Sequence, residues 1–237
     1  MVKFTENKSF MKMEHKNLLD TEEACVEWHA WYRDADNELW QIDMIHILEG
    51  SRYDGYFEKC SKVVNLVIDH YNGGYQAGKY LKELGHKKAL CIADNFICMD
   101  KERIEGFRKA FEHGETYRWE IPKTERERMC FYEDKYMQLL KSNVTAVFAV
   151  SDFYALEFMR FLQGKNIRIP EDIQIIGFDD NMASRESNPS LTTIHQEANL
   201  RAKTAIECLE AMRDGTEYKP QIVLPVDLIK RESTRKL

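Results

Sequence analysis

An α/β fold, in which a mostly parallel sheet is covered by helices, is the class this sequence predicts, and three observations carry it. From Val63 onward, short apolar runs alternate with amphipathic stretches of helical length, the pattern of successive β-α units. The apolar runs are nearly continuous, as at Ala146-Val147-Phe148-Ala149-Val150, which suits strands buried on both faces. Several of them end in a polar or acidic residue, as at Asp69, at Ser151-Asp152 and at Asp179-Asp180.

Taken in order, residues 22–48 read as a helix with Trp28, Trp31 and Trp40 as apolar anchors. Tyr56-Phe57 reads as a short strand after the Asp54-Gly55 turn. Residues 63–68 form a buried strand that ends at Asp69. Asn72-Gly73-Gly74 then opens a helix carrying Tyr75, Ala77, Leu81 and Leu84, which Gly85 closes in the C′ position. Residues 89–93 are the next strand, and a helix beginning near Asp100 carries Ile104, Phe107, Ala110 and Phe111 on one face. The polar connection 115–128 holds one weakly marked strand around Trp119 and Ile121. A helix over 131–140 and a strand over 146–150 follow, and Asp152 N-caps a helix that ends before Gly164. Residues 173–176 make a strand stopped by Gly177, and 191–194 a shorter one. A helix over 196–213 ends at Asp214-Gly215, and 222–224 and 226–229 are extended.

At 237 residues, 43% hydrophobic and 31% charged, the chain has the composition of a globular protein able to bury its own core. No run approaches the ~18 apolar residues of a membrane span. Residues 1–19 lack the apolar stretch and cleavage site of a secretory signal, so the expected location is the cytoplasm, with no membrane partner. The six cysteines form no CxxC pair and do not cluster with the histidines. No metal site and no cofactor are expected, and Cys91 and Cys208 read as small core residues. The net charge of −6 is confined to residues 1–60, where seven Lys+Arg meet thirteen Asp+Glu; such a segment disfavours contact with a phosphate backbone.

The sequence contains no GxGxxG, GxxxxGK[ST], GxSxG or HExxH, so dinucleotide, P-loop, hydrolase-elbow and zincin chemistries lose their usual support. The notable polar residues lie where strands end. Ser151-Asp152-Phe153 follows one strand, Phe178-Asp179-Asp180 another, and the loop 94–103 brings Arg103 after a third. In an open α/β sheet such loops share a crevice. Carboxylates accept hydroxyl protons, a guanidinium donates and an aromatic ring covers an apolar face, a combination suited to a polyhydroxylated ligand. Each residue also has a structural alternative: Asp152 as a cap, Asp180 as a brace for the turn, Phe153 and Tyr154 as core.

Several segments resemble the LacI/GalR (lactose-repressor) family of transcriptional regulators. They are Pro-Glu-Asp-Ile-Gln-Ile-Ile-Gly-Phe-Asp-Asp at 170–180, Pro-Ser-Leu-Thr-Thr-Ile-His-Gln at 189–196, Leu224-Pro225-Val226 and Lys230-Arg231-Glu232-Ser233-Thr234. Upstream, the stretch from Gly74 to Gly85-His86, the motif Arg103-Ile104-Glu105-Gly106-Phe107 and the run 145–152 match in the same order, so the likeness covers about 54–236. It implies a periplasmic-binding-protein-like core of two lobes with an effector held between them. The expected N-terminal lobe, shortened, is 1–69 with 194–224, and the expected effector-binding C-terminal lobe, a complete doubly wound sheet, is 70–193 with 225–237.

By the same resemblance, Arg103 and Asp179 would hydrogen-bond the effector, Ser151 would line the site and Phe153 would lie close by; Asp152, at the start of the following helix, is read from the residues themselves as a ligand contact or a cap. Met99 departs from the family pattern where a small polar residue is expected, and Asn95 where glycine often sits. Nothing in residues 1–60 resembles the family's helix-turn-helix headpiece, so DNA contact is expected only through a module absent from this chain. The expected protein is a homodimeric, allosteric sensor of a sugar or related polyol, without enzymatic activity. A solute-binding protein of transport type is the alternative, and an enzyme on the same fold a more distant one.

Overall fold

The computed structural model describes the backbone of residues 10–18, 25–33, 39–42 and 45–46, together with residues 64–94 and 98–236. The elements in chain order are β1 (Phe10–Leu18), β2 (Cys25–Arg33), β3 (Leu39–Ile42), β4 (Ile45–His46), β5 (Val64–Ile68), α1 (His70–Glu83), β6 (Lys88–Ala93), α2 (Cys98–Ala110) and β7 (Glu115–Glu120). They continue with α3 (Glu125–Lys141), β8 (Ala146–Ala149), α4 (Asp152–Gly164), β9 (Gln174–Asp179), α5 (Met182–Glu186), β10 (Thr192–Gln196), α6 (Ala198–Asp214), β11 (Gln221–Leu224) and β12 (Val226–Ile229). The chain divides into two compact units, one of Met1–Ile68 with Glu197–Leu224 and one of Asp69–Gln196 with Pro225–Leu237.

In the first unit, β1, β2 and β3 form an antiparallel sheet, with Ala30 opposite Met13 on one side and Ile42 on the other. This corrects the helix expected over 22–48. In Cys25–Arg33, Val26, Trp28, Ala30 and Tyr32 alternate with mostly polar residues, a period of two in a segment rich in strand-favouring aromatics. Trp28 and Trp31, three apart, imitate a helical spacing that the rest of the segment does not keep. The expected strand at Tyr56-Phe57 lies outside the described residues. A second, parallel sheet has the order β11-β5-β4. Val64 and Leu66 of β5 pack with Cys208 of α6, and Ala205, Tyr218 and Ile222 close around them.

The second unit is built on a six-stranded sheet of order β12-β10-β9-β8-β6-β7, parallel except for β12, which runs against β10. The doubly wound class read from the sequence is what this sheet shows. Its central strands are interior ones: β6 and β8 are buried almost throughout, with Leu90 beside Val147 and Val147 beside Ile175. One core packs Leu90, Ile92, Val147 and Ile175 with Tyr132, Phe158 and Leu162 from α3 and α4. Elsewhere in the unit, Phe107 of α2 stacks on Phe148 of β8 with ring centroids 5.0 Å apart. Cys91 is fully buried, and burial pushes its thiol up to about 12, so it behaves as a small core residue.

The contact between α1 and α2 depends on the absence of side chains. A Cβ at Gly74 would stand 1.8 Å from the Arg103 carbonyl oxygen, and one at Gly106 would stand 1.9 Å from the Tyr71 carbonyl oxygen. The two helix backbones therefore touch. This also corrects the expected start of α1. Asp69 is its N-cap, accepting the Asn72 N–H at 3.0 Å, so Gly73 and Gly74 lie inside the helix rather than at the turn: Gly74 serves the α2 contact, and Gly73 makes room for the Phe178 ring, which a Cβ there would meet at 2.6 Å. Gly85, at φ 102, closes the helix as expected.

Further corrections have equally local causes. Helix α3 starts at Glu125 rather than near Phe131, because Thr124 caps it: the Thr124 hydroxyl accepts the Glu127 N–H and donates to the Glu127 carboxylate. Ser151, not Asp152, caps α4, its Oγ accepting the Tyr154 N–H. Gly177 does not stop β9; the strand runs through it, and the glycine makes room for the Asp152 carboxylate, which a Cβ there would meet at 2.3 Å.

The C-terminal tail is stitched to the sheet by Ser233, which is fully buried. Its hydroxyl donates to the Ile175 carbonyl at 2.6 Å and accepts the Thr192 N–H at 2.8 Å. Ser233→Ala leaves both backbone groups without that partner and is expected to cost about 1–3 kcal/mol. Thermal denaturation checks this, and an unchanged midpoint would contradict it. Among the described residues no helix is long and apolar enough to cross a membrane, and no group of three or more His, Cys, Asp or Glu is placed to hold a metal ion.

Candidate ligand-binding site

From β6 the chain steps outward to β7, then crosses back to β8 on the other side of β6 and continues through β9 to β10. The reversal places the crevice of this sheet at the carboxyl ends of β6 and β8. Asp94 follows β6, Val150 and Ser151 follow β8, and β9 ends at Asp179.

Arg103 reaches this edge from α2 and is 5% exposed. Its Nη1 donates to the Val150 carbonyl at 2.5 Å, its Nε to His70 Nδ1 at 3.2 Å, and its guanidinium carbon lies 3.8 Å from the centroid of the Phe178 ring. The guanidinium is thus held by α1, β8 and β9 together, which spares a ligand the cost of ordering a long side chain. Nη1 lies 4.0 Å from Asp179 Oδ1. The Asp179 side chain is partly open to solvent, and Gln196 Nε2 donates to its Oδ1 at 2.7 Å. The residue sits at φ 125, an uncommon backbone for a side chain that has a Cβ.

Asp100, one turn before Arg103 on α2, is buried. Burial pushes its carboxyl up to about 7; Arg103 pulls the other way, while a hydrogen bond to Asp94 and the charges of Asp94 and Asp179 add to the rise. The Tyr154 hydroxyl is pushed up to about 12, by burial first and then by Asp94, to which it is hydrogen-bonded. The consequence for stability follows from proton counting. Between the ordinary Asp value near 4 and about 7 the native state holds more protons on Asp100 than the unfolded chain, so this group removes stability as pH rises through that window. Asp100→Asn is therefore expected to raise the melting temperature at pH 8 by roughly 2–4 °C, for about 1 kcal/mol, and to leave it nearly unchanged at pH 4. An equal effect at both pH values would contradict this placement of the carboxyl.

Of the residues expected from the sequence, Arg103 and Asp179 are brought together. Ser151 stands at the carboxyl end of β8, its hydroxyl oriented by the cap it makes. Asp152 is fully buried: it accepts the Thr193 hydroxyl on Oδ1 and the Asn181 N–H at 3.0 Å on Oδ2, tying α4 to β10 and to the start of α5. Phe153 is 58% exposed and meets Tyr154 and the Arg128 guanidinium, at 5.4 Å in each case. Asp180 braces the turn, accepting Arg185 at 2.8 Å, His195 Nδ1 at 2.8 Å and Arg231. Burial raises its carboxyl, but Arg185, Arg231 and His195 outweigh this and hold it below the usual value. Sequence reasoning missed His70, Asp100 and Gln196 as neighbours of the site. Asp100 carries a signal in its spacing, since residues three apart share a helix face.

Residues 79–234 match the family model of the periplasmic binding protein-like domain. A LacI family transcriptional regulator from Enterococcus faecium, solved with bound ribose, superposes with a TM-score of 0.64 at 30% identity, over 74% of this chain and 66% of that one. The HTH-type transcriptional repressor PurR of Vibrio cholerae is 31% identical over 231 residues, covering 83% of this chain and 68% of PurR. The chain belongs to the LacI/GalR family. A further member, the HTH-type transcriptional regulator DegA of Bacillus subtilis, is 34% identical over 176 residues, 73% of this chain and 52% of DegA. The chain thus spans about half to two thirds of the length of these relatives. Within the family motif Arg103-Ile104-Glu105-Gly106-Phe107, each marked position has a physical task here. Arg103 enters the site, Gly106 lets α2 touch α1, and Phe107 stacks on the sheet.

Proposed function

We propose that this chain is the effector-sensing core of a LacI/GalR-type regulator and that Arg103 and Asp179 hold a small polyhydroxylated effector of the sugar class. The observation that carries the reading is the guanidinium of Arg103, fixed from three elements beside the partly open Asp179 carboxylate at the reversal point of the sheet. One offers donors and the other acceptors, as a polyol requires. Ribose bound to the Enterococcus faecium relative supports the ligand class. The protein works as a cytoplasmic dimer in which effector binding biases one of two conformations. Contact with DNA is assigned to a separate helix-turn-helix module of the regulator, since the acidic residues 1–60 do not suit a phosphate backbone. No catalytic step is assigned to the site.

A thermal-shift panel of pentoses, hexoses and sugar alcohols tests the reading. At a concentration about 100 times its dissociation constant, a ligand of the native state adds roughly 2.7 kcal/mol, a shift of several degrees. At least one panel member is expected to give it, and a uniformly flat panel at millimolar concentration would contradict the sugar class.

A further inference from the structure

Asp179 and Asp180 follow one another at φ 125 and φ 56, two residues with a Cβ in the half of backbone space that favours glycine. Such a pair persists only where its surroundings over-determine it. Four elements do so here, and they converge on Asp180 and the residue after it. The buried Asp180 carboxylate accepts Arg185 of α5 and His195 of β10, each at 2.8 Å, and Arg231 of the C-terminal tail. Arg185 also donates to the Asp180 carbonyl at 3.2 Å, and Asp152 of α4 takes the Asn181 N–H at 3.0 Å. Arg231 is the best placed of the three partners of the carboxylate. Its side chain is 16% exposed against 55% for Arg185, and it is anchored from both ends: its Nη1 donates to the Leu191 carbonyl and its backbone N–H to the Thr192 hydroxyl, both at 2.8 Å.

Taking the effector reading above as its basis, we infer that Asp180 is a positioning residue of the effector site and that Arg231 makes the C-terminal tail a part of that site. Neither touches the effector; together they fix the backbone that presents the Asp179 carboxylate one peptide unit away. With the Asp180 carboxylate released, the turn relaxes toward the negative φ that residues with a Cβ prefer. The Asp179 side chain then points elsewhere and leaves Arg103 Nη1, which now lies 4.0 Å from its Oδ1. The strained turn must be rebuilt on binding, and that cost is subtracted from the affinity.

The test is isothermal titration calorimetry of the protein with ribose, xylose, glucose, galactose and glucitol, followed by a double-variant cycle with the tightest of the five. Asp180→Asn and, separately, Arg231→Gln are expected to weaken its binding about tenfold. Arg185→Ala removes an exposed partner from the same carboxylate and should bind within about twofold of wild type. Because Asp180 acts through Asp179, Asp180→Asn added to Asp179→Asn should cost no more than about twofold further, whereas a substitution that merely loosens the fold would weaken both backgrounds alike. The two single variants remove opposite halves of one ion pair, and each is checked for native circular dichroism, so a failure of one to fold leaves the other to be measured. Wild-type affinity in Asp180→Asn or Arg231→Gln, or a full tenfold further loss in the Asp179→Asn background, overturns the inference and leaves the effector reading standing. Arg185→Ala as weak as Arg231→Gln overturns the part assigned to the tail. Binding of none of the five sugars to the wild type overturns both the inference and the reading beneath it.

Discussion

Gly106→Ala is expected to lower the stability of the second unit by about 3 kcal/mol or more, a fall of roughly 6–12 °C in its melting temperature. Alanine normally favours a helix interior over glycine by about 1 kcal/mol, so the expected sign is opposite to intrinsic propensity. The reason is the neighbour. The added methyl would stand 1.9 Å from the Tyr71 carbonyl oxygen and 2.9 Å from the Tyr75 nitrogen, both of them backbone atoms of α1 that no rotamer change can move aside. The helices must separate, and Arg103, one turn earlier on α2, moves with them. Gly164, at the end of α4, is the control: a Cβ there meets nothing within 4 Å, so Gly164→Ala should be neutral or slightly stabilising. A Gly106→Ala protein as stable as the Gly164→Ala protein would contradict the backbone contact between α1 and α2.

Arg103→Ala is expected to abolish effector binding, and Asp179→Asn to weaken it by about 100-fold while keeping nearly native stability. The two variants differ for a structural reason. Asp179 is partly exposed, and an asparagine keeps its shape and one acceptor for Gln196. Arg103 is buried, and its loss leaves the Val150 carbonyl and the face of the Phe178 ring without their partner, so Arg103→Ala should also destabilise by about 2 kcal/mol. Arg103→Lys separates the two effects. It retains the charge but not the planar fork, and should recover part of the stability while still failing to bind. Titration calorimetry of the three variants against the tightest panel ligand measures this, and wild-type affinity in either Arg103 variant would refute the site.

The β-α alternation of the second unit was legible because its strands are buried on both faces, and uninterrupted apolar runs such as 146–150 leave little else for them to be. The first sixty residues were not, because the Trp28–Trp31 spacing masks a period of two. Gly73 and Gly74 were misread for a different reason. Glycine marks a turn and a close approach with the same letter, and the neighbours that decide between them, the α2 backbone at Gly74 and the Phe178 ring at Gly73, are brought up by the fold. Asp152 followed its strand as a cap should, yet Ser151 took the cap and left the carboxylate to bind Thr193 and Asn181. The pairing of Arg103 with Asp179, far apart in sequence, came from resemblance rather than from spacing. Asp100 had no sequence signature beyond its place one turn before Arg103.

The central claim is that the effector lies at the carboxyl ends of β6, β8 and β9. A crystal structure of the protein soaked with the panel ligand that gives the largest thermal shift tests it most directly. The account predicts ligand density with hydroxyl oxygens within hydrogen-bond distance of the Arg103 guanidinium and the Asp179 carboxylate. Density elsewhere, for example in the groove of about 360 Å³ lined by Tyr117, Trp119, Phe131 and Leu139, with the Arg103 site empty, would contradict it.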